Sequence, residues 1–265
     1  MAAFLAIGGA GSARAGDFDI SEAQFQTGGI VIVAPRYEGS KSYEVRGLPF
    51  VLPGAKGGDS DLTFSDIDSI QYRLVKYGAF EAGPLAGAWL GRESDDGAKL
   101  EGLGNIDAGL VVGGYAALKF GATKFTASYH HQVTGEDVGS LVRLRAETEI
   151  PLTDGIKFLV GAGTNFATNG YMDTNFGVSA QQAANSVAGL TAYNPDAGIK
   201  DVFAGAGFEV ELTERLTGKV YGEYSRLVGD AGDSPVIDTR DQFSGLLAVT
   251  YQFGPSGDPA VAQLK

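Results

Sequence analysis

From residue 24 onward, apolar and polar residues alternate with a period of two, in segments of about ten residues. Residues 142–150 show it most clearly: Val142, Leu144, Ala146, Thr148 and Ile150 fall in one register, Arg143, Arg145, Glu147 and Glu149 in the other. Successive side chains of a strand point to opposite faces, so this segment has one apolar and one charged face. Residues 216–225 repeat the pattern, with Thr217, Lys219, Tyr221, Glu223 and Ser225 opposite Leu216, Gly218, Val220, Gly222 and Tyr224. In 124–133 the polar register holds Lys124, Thr126, Ser128, His130 and Gln132; in 202–212 it holds Glu209 and Glu211. The pattern predicts strands at 25–34, 43–52, 79–91, 105–118, 123–133, 139–150, 155–166, 199–212, 216–227 and 240–253. The stretch 60–76 contributes two short strands or none. Twelve strands are favoured over ten because SDLTFS and SIQYRLV both read as extended, with an Asp-rich bend between them.

A soluble sandwich would also alternate, so the choice of architecture rests on the faces and the connections. The polar face carries charges and glycines, as a wet lumen does, while the apolar face is rich in Phe, Tyr and Leu near strand ends. Connections alternate between tight (VKYG, KFGA, PLTDG, LTER) and long and polar (91–104, 167–198, 228–239). Short turns on one side and long loops on the other define an outer-membrane barrel, all-β, antiparallel and up-and-down. No window of 18 or more uncharged apolar residues predicts a membrane helix.

Composition narrows the function classes. Forty glycines in 265 residues are roughly twice the usual share, without a collagen period. The 26 aromatic residues other than Trp (15 Phe and 11 Tyr), together with balanced hydropathy, suit a barrel. Zero cysteines exclude disulfides, a thiol nucleophile and Cys-ligated metals. The net charge of −12 argues against a nucleic-acid partner, which requires a basic stripe. The apolar run 2–11, followed by Ala13-Arg14-Ala15, fits a signal peptide cleaved before Gly16, although no basic region precedes it. The expected organisation is a signal peptide at 1–15, a barrel at 16–253 with a long loop at 167–198, and a polar tail at 254–265.

Several short motifs then fall in order. Ala34-Pro35-Arg36-Tyr37-Glu38-Gly39-Ser40, followed by Tyr43-Glu44-Val45-Arg46-Gly47-Leu48-Pro49-Phe50, resembles the opening signature of the MltA-interacting protein/OmpV family, P-x-Y-E-G-S and then Y-x-x-x-P-L-P-F. Gly170-Tyr171-Met172-Asp173, Phe176-Gly177-Val178, Tyr193 and 197–201 resemble its mid-chain segment, and Gly229-Asp230-Ala231 with Asp233-Ser234-Pro235-Val236 its "GDAADSP" loop. The similarity extends from about Gly28 to Phe253. Two features depart from it: Gly47 stands where the family has proline, and residues 254–265 follow the aromatic Phe253 at which such chains normally end. The resemblance implies a Gram-negative outer-membrane barrel with lipid and lipopolysaccharide around it. It also implies an envelope scaffold linking a murein transglycosylase to a peptidoglycan synthase; other members are described as adhesion-related or osmotically regulated surface proteins. It transfers no functional residues.

Candidate chemistry is thin. His130 and His131 are adjacent and so point to opposite faces, which prevents shared metal chelation. No G-x-S-x-G supplies a nucleophile elbow. Glu147/Glu149 and Glu209/Glu211 share strand faces but have Arg143, Arg145 and Lys219 for company, which reads as a lumen charge ladder rather than a glycosidase dyad. Gly161-Ala162-Gly163 and Gly205-Ala206-Gly207 sit inside strands with no following helix, so they are curvature or crowding positions, not phosphate loops. The acidic stretches 93–96 and 230–241 read as solvated loops without calcium-loop spacing. Loop 167–198, with helix-forming residues at 181–190, is expected to fold inward or cap the mouth. The reading is of a non-enzymatic barrel with no catalytic, cofactor or metal residues assigned. It is a scaffold first, and a small-solute channel or surface receptor as the alternative.

Overall fold

The computed structural model describes residues 25–53, 61–135 and 138–253. The expected signal segment and the polar tail lie outside the described residues. The strands are β1 (Phe25–Pro35), β2 (Tyr43–Pro53), β3 (Leu62–Asp66), β4 (Ser69–Tyr72), β5 (Val75–Tyr77), β6 (Phe80–Trp89) and β7 (Gly109–Phe120). They continue as β8 (Thr123–Gln132), β9 (Ser140–Thr153), β10 (Ile156–Ala167), β11 (Gly198–Thr213), β12 (Leu216–Leu227) and β13 (Asp241–Phe253). Every ladder is antiparallel. Pairing β1 with β13 wraps the sheet on itself, giving the order β2-β1-β13-β12-β11-β10-β9-β8-β7-β6-β4-β3. Because β4 and β5 both run along β6, they form one crossing, and the barrel has twelve strand positions. The ambiguous stretch 60–76 therefore supplies two of the twelve strand positions, β3 and the broken crossing of β4 and β5. β2 and β3 flank a seam at which no ladder forms among the described residues.

The alternation read from the sequence sorts the two faces as expected. On β9, Val142, Leu144 and Ile150 point outward and are 36–50% exposed, while the Arg143 and Arg145 side chains turn into the lumen and are largely covered. Two belts of outward aromatics bound the apolar band. Tyr43, Tyr129, Phe166, Tyr224 and Phe243 lie toward the long-loop end; Phe25, Phe80, Phe120, Phe125, Phe208 and Phe253 lie toward the short-turn end. Phe25 stacks on Phe253 at 4.9 Å, so the lower belt runs across the β1–β13 closure. Phe243 and Phe253 are separated by ten residues of β13; at ~3.3 Å rise and a tilt of ~40° they span about 25 Å, the height of a membrane-facing band. Among the described residues no helix is long and apolar enough to cross a membrane.

The short turns are hairpin turns. Phe120 pairs with Thr123 across Gly121-Ala122, and Gly121 has φ +59°, the left-handed value that a type II′ turn requires at its first central residue.

Candidate functional site: the capped lumen

The long loops do not stand free in solvent. They fold over the barrel mouth and carry three short helices, α1 (Asn169–Phe176), α2 (Ala180–Asn185) and α3 (Gly229–Asp233). α2 begins at a capping box in which the Ser179 hydroxyl accepts from the Gln182 N–H and the Gln182 side chain accepts from the Ser179 N–H. One apolar cluster joins Tyr171, Met172 and Phe176 of α1 to Ile106, Val138, Leu141, Leu227, Ala231 and Ile237. A second joins Tyr37, Leu100, Leu103, Val178 and Val236, with Leu190 and Tyr193 packed on it. Phe176, Leu100 and Val236 are fully buried.

Hydrogen bonds stitch the loops to one another. The Ser234 hydroxyl donates to the Phe176 carbonyl at 2.6 Å, the Tyr193 phenol to the Asp230 carbonyl at 2.8 Å, and the Gln182 amide to the Leu103 carbonyl at 2.8 Å. Lys99 reaches the Ile237 carbonyl. Burial raises the Tyr37 and Tyr171 phenols above the ordinary tyrosine range, the Asp238 carboxylate adding to the effect at Tyr37.

This corrects the reading of these loops as simply polar. Their apolar residues lie at irregular intervals, so no period reveals them, and they are buried only because three loops meet. Several acidic residues of these loops stay at the solvent surface, as expected, and hold loop backbone or neighbouring side chains there. Asp96 accepts from the Glu93 N–H, Asp230 from the Asp196 N–H, and Asp241 from Tyr224 and Arg226. The segments that carry the family resemblance converge here: Tyr37, Tyr171, Met172, Phe176, Val178, Ala231 and Val236 are all cap core.

Below the cap, a polar relay crosses the lumen. Asp68, in the turn between β3 and β4, receives both terminal nitrogens of Arg143 at 2.9 and 3.1 Å. Arg143 Nε donates to Asn165 at 2.9 Å, Asn165 donates to Asp201 at 2.8 Å, and Lys200 binds both Asp201 and Glu38 at 2.5 Å. The chain thus runs from the inturned β3–β4 hairpin through β9, β10 and β11 to the loop after β1. The Trp89 indole donates to Asp68 at 3.2 Å and meets Tyr171 edge-on at 5.0 Å, tying the relay to the cap. Lower down, Arg145 lies 3.4 Å from Glu223 of β12, three strands away, and its guanidinium sits 4.7 Å over the Phe203 ring. Lys157 bonds Glu209 at 2.9 Å on the neighbouring strand. The carboxylate pairs are thus parts of the mixed-charge ladder, as their neighbours suggested.

The glycine segments also receive a reason. A Cβ on Gly205 would lie 2.6 Å from the Tyr221 hydroxyl, and one on Gly163 2.4 Å from the Phe203 ring. The crowding comes from the barrel wall itself, both from inward aromatic rings and from neighbouring-strand carbonyls such as Leu144 O, 2.2 Å from a Cβ on Gly163, and not from the long loop.

His130 points inward and is fully buried, and His131 sits on the opposite face against Ser140. Ser128 Oγ lies 2.9 Å from His130 Nε2, and the Asp68 carbonyl lies 3.1 Å from His130 Nδ1, an arrangement the sequence did not reveal. It is not built as a nucleophilic relay. Arg143 takes the Asp68 carboxylate in a fork, and Asp68 Oδ2 stays 3.6 Å from His130 Nδ1, beyond hydrogen-bond distance. A polar core pair that fixes the hairpin turn against β8 accounts for the contacts. Among the described residues no group of three His, Asp or Glu is placed to hold a metal ion.

Between relay and cap lies a cavity of about 350 Å³, lined among others by Tyr37, Glu38, Trp89, Arg92, Arg143 and Lys200.

Aromatic belts, an apolar outer face, a charged lumen and alternating short turns and long loops define an outer-membrane β-barrel. Solved structures of that kind resemble it in outline. An outer-membrane channel from Pseudomonas putida F1 is 9% identical, covering 91% of this chain and 100% of its own, with a TM-score of 0.42. A bacterial polysaccharide outer membrane secretin is 10% identical over 88% and 99%, with a TM-score of 0.44. OmpT of Vibrio cholerae is 7% identical over 87% and 97%, with a TM-score of 0.38. A search of curated proteins finds no match. The family model "MltA-interacting protein MipA" matches residues 27–253, and the chain belongs to that family.

Proposed function

We propose that this barrel is a closed, non-enzymatic scaffold of the outer membrane that docks murein-synthesising and murein-hydrolysing enzymes at its periplasmic end. The observation that carries the reading is the double obstruction of the lumen: an apolar cap with Phe176, Leu100 and Val236 fully buried, and beneath it the Asp68–Arg143–Asn165–Asp201–Lys200–Glu38 relay. A pore for solutes needs a continuous wet path, and paired charges fork across this one. The family description supplies the partner class, a murein transglycosylase that its members are named for contacting. The hairpin turns at 78–79, 121–122, 154–155 and 214–215 share one end of the barrel, the short-turn end that this reading assigns to the periplasm and to docking.

The test is binding of the purified, folded full chain in detergent to a murein transglycosylase of this class, alone and with a peptidoglycan synthase. Saturable binding that is lost when those turns are replaced by Gly-Ser segments is the expected result. Recovery of neither enzyme, or binding indifferent to the turns, overturns the scaffold reading.

A further inference from the structure

Nearly every polar side-chain atom buried around the lumen is paired. Two are not: Arg92 Nε and Glu38 Oε2 are the buried side-chain polar atoms without a hydrogen-bond partner among the described residues. Both residues line the cavity beneath the cap.

Arg92 is the sharper anomaly. It is 7% exposed, held by the bridge between its own backbone and Ile106, and its Nη1 donates to the Asn175 carbonyl at 2.9 Å. No carboxylate lies within 4.0 Å of it among the described residues. Every other buried cation here has one: Arg143 has Asp68, and Lys200 has Asp201 and Glu38. Asp96 and Glu38 act on this guanidinium only at a distance, and a buried guanidinium with an unpaired N–H is costly, a cost relieved by an anion that accepts from it. Glu38 presents the converse. Lys200 occupies Oε1, and Oε2 remains as a buried acceptor. Three rings, Tyr37, Trp89 and Tyr171, complete the walls. The cavity volume is at the small end of the range for ligand sites.

We propose that this cavity binds a small zwitterion of amino-acid or dipeptide size, its carboxylate on Arg92 and its ammonium on Glu38. The leftover donor cation and leftover acceptor anion are complementary to those two charges. This site is separate from the periplasmic rim, so it stands or falls independently of the scaffold role. It adds a ligand-sensing function: the ligand would contact Arg92, which is bonded to α1, and Glu38, which is bonded to Lys200, and so would strengthen the link between cap and relay.

Trp89 is the chain's single tryptophan and lines the cavity, so its fluorescence reports occupancy directly. The experiment titrates the folded full chain in detergent with glycylglycine through roughly 10 mM, with N-acetylglycylglycine and glycylglycinamide as analogues lacking one charge each. The expected result is a saturable change in Trp89 emission, about tenfold weaker binding of either analogue, and loss of the change in Arg92→Gln. Folding of each variant is checked by heat-modifiable gel mobility. Glu38→Gln is expected to weaken glycylglycine binding about tenfold, and it carries the comparison should Arg92→Gln not fold. No saturable change in the wild type, equal binding of all three probes, or wild-type affinity in a folded variant overturns the proposal.

Discussion

The Tyr37 phenol donates to the Asp238 carboxylate at 3.1 Å, joining two segments 201 residues apart in the chain. They follow β1 and precede β13, the strands that close the barrel. The closure made by the ladder is therefore repeated above it, and the Gly39 carbonyl adds to it by accepting from the N–H groups of Asp238 and Thr239. Tyr37→Phe removes one hydrogen bond, worth about 1 kcal/mol, while keeping the ring. Limited proteolysis of the folded protein should cut the cap roughly fivefold faster. An unchanged rate would show that the bond does not hold the cap.

Phe176 is fully buried where α1 meets Leu227, Ala231 and Ile237. Phe176→Ala should cost the cap about 3–5 kcal/mol by leaving a cavity. Because the loops share apolar clusters, hydrogen exchange should rise together in 90–108, 168–197 and 228–240 while the strand amides stay protected. A rise confined to 168–197 would mean that the loops are not one cooperative unit.

The fork between Asp68 and Arg143 is a buried ion pair between the β3–β4 turn and β9, with β6, β7 and β8 between them around the wall. Breaking one side leaves the other charge uncompensated. Asp68→Leu is expected to destabilise the barrel by about 3–5 kcal/mol in urea unfolding from lipid vesicles. Asp68→Leu with Arg143→Met should recover most of that loss, since an apolar replacement of both partners is nearly neutral. Additive losses in the double variant would place the stability elsewhere.

At Gly205 the three nearest atoms to an added Cβ all belong to the Tyr221 side chain, at 2.6–2.7 Å. Gly205→Ala should impair folding into vesicles, and Tyr221→Ala in the same chain should restore it. Failure of the rescue would assign the glycine to backbone curvature instead.

The barrel was largely legible in the sequence because lipid and lumen impose strict alternation, as at 142–150. The strand pair within 60–76 was harder: β3 and β4 are only five and four residues long, and their turn bends into the lumen. Segment 181–190 is rich in helix-forming residues, and α2 occupies Ala180–Asn185; α1 carries no such signal, with Gly170 and mixed polarity in Asn169–Phe176. The cap core was not legible, for Leu100, Phe176 and Val236 come from separate loops and share no period. The relay needs Asp68, which the sequence marked only as part of an Asp-rich bend. Arg92 carried no signal at all; its significance is a missing partner, which only three-dimensional packing reveals.

The central claim, that cap and relay close the lumen, is tested most directly by planar-bilayer recording of the refolded wild-type barrel. The account predicts a baseline without a sustained conductance step in membranes shown by gel mobility to contain folded protein. A stable open level that scales with salt concentration, recorded from the unaltered chain, would contradict it.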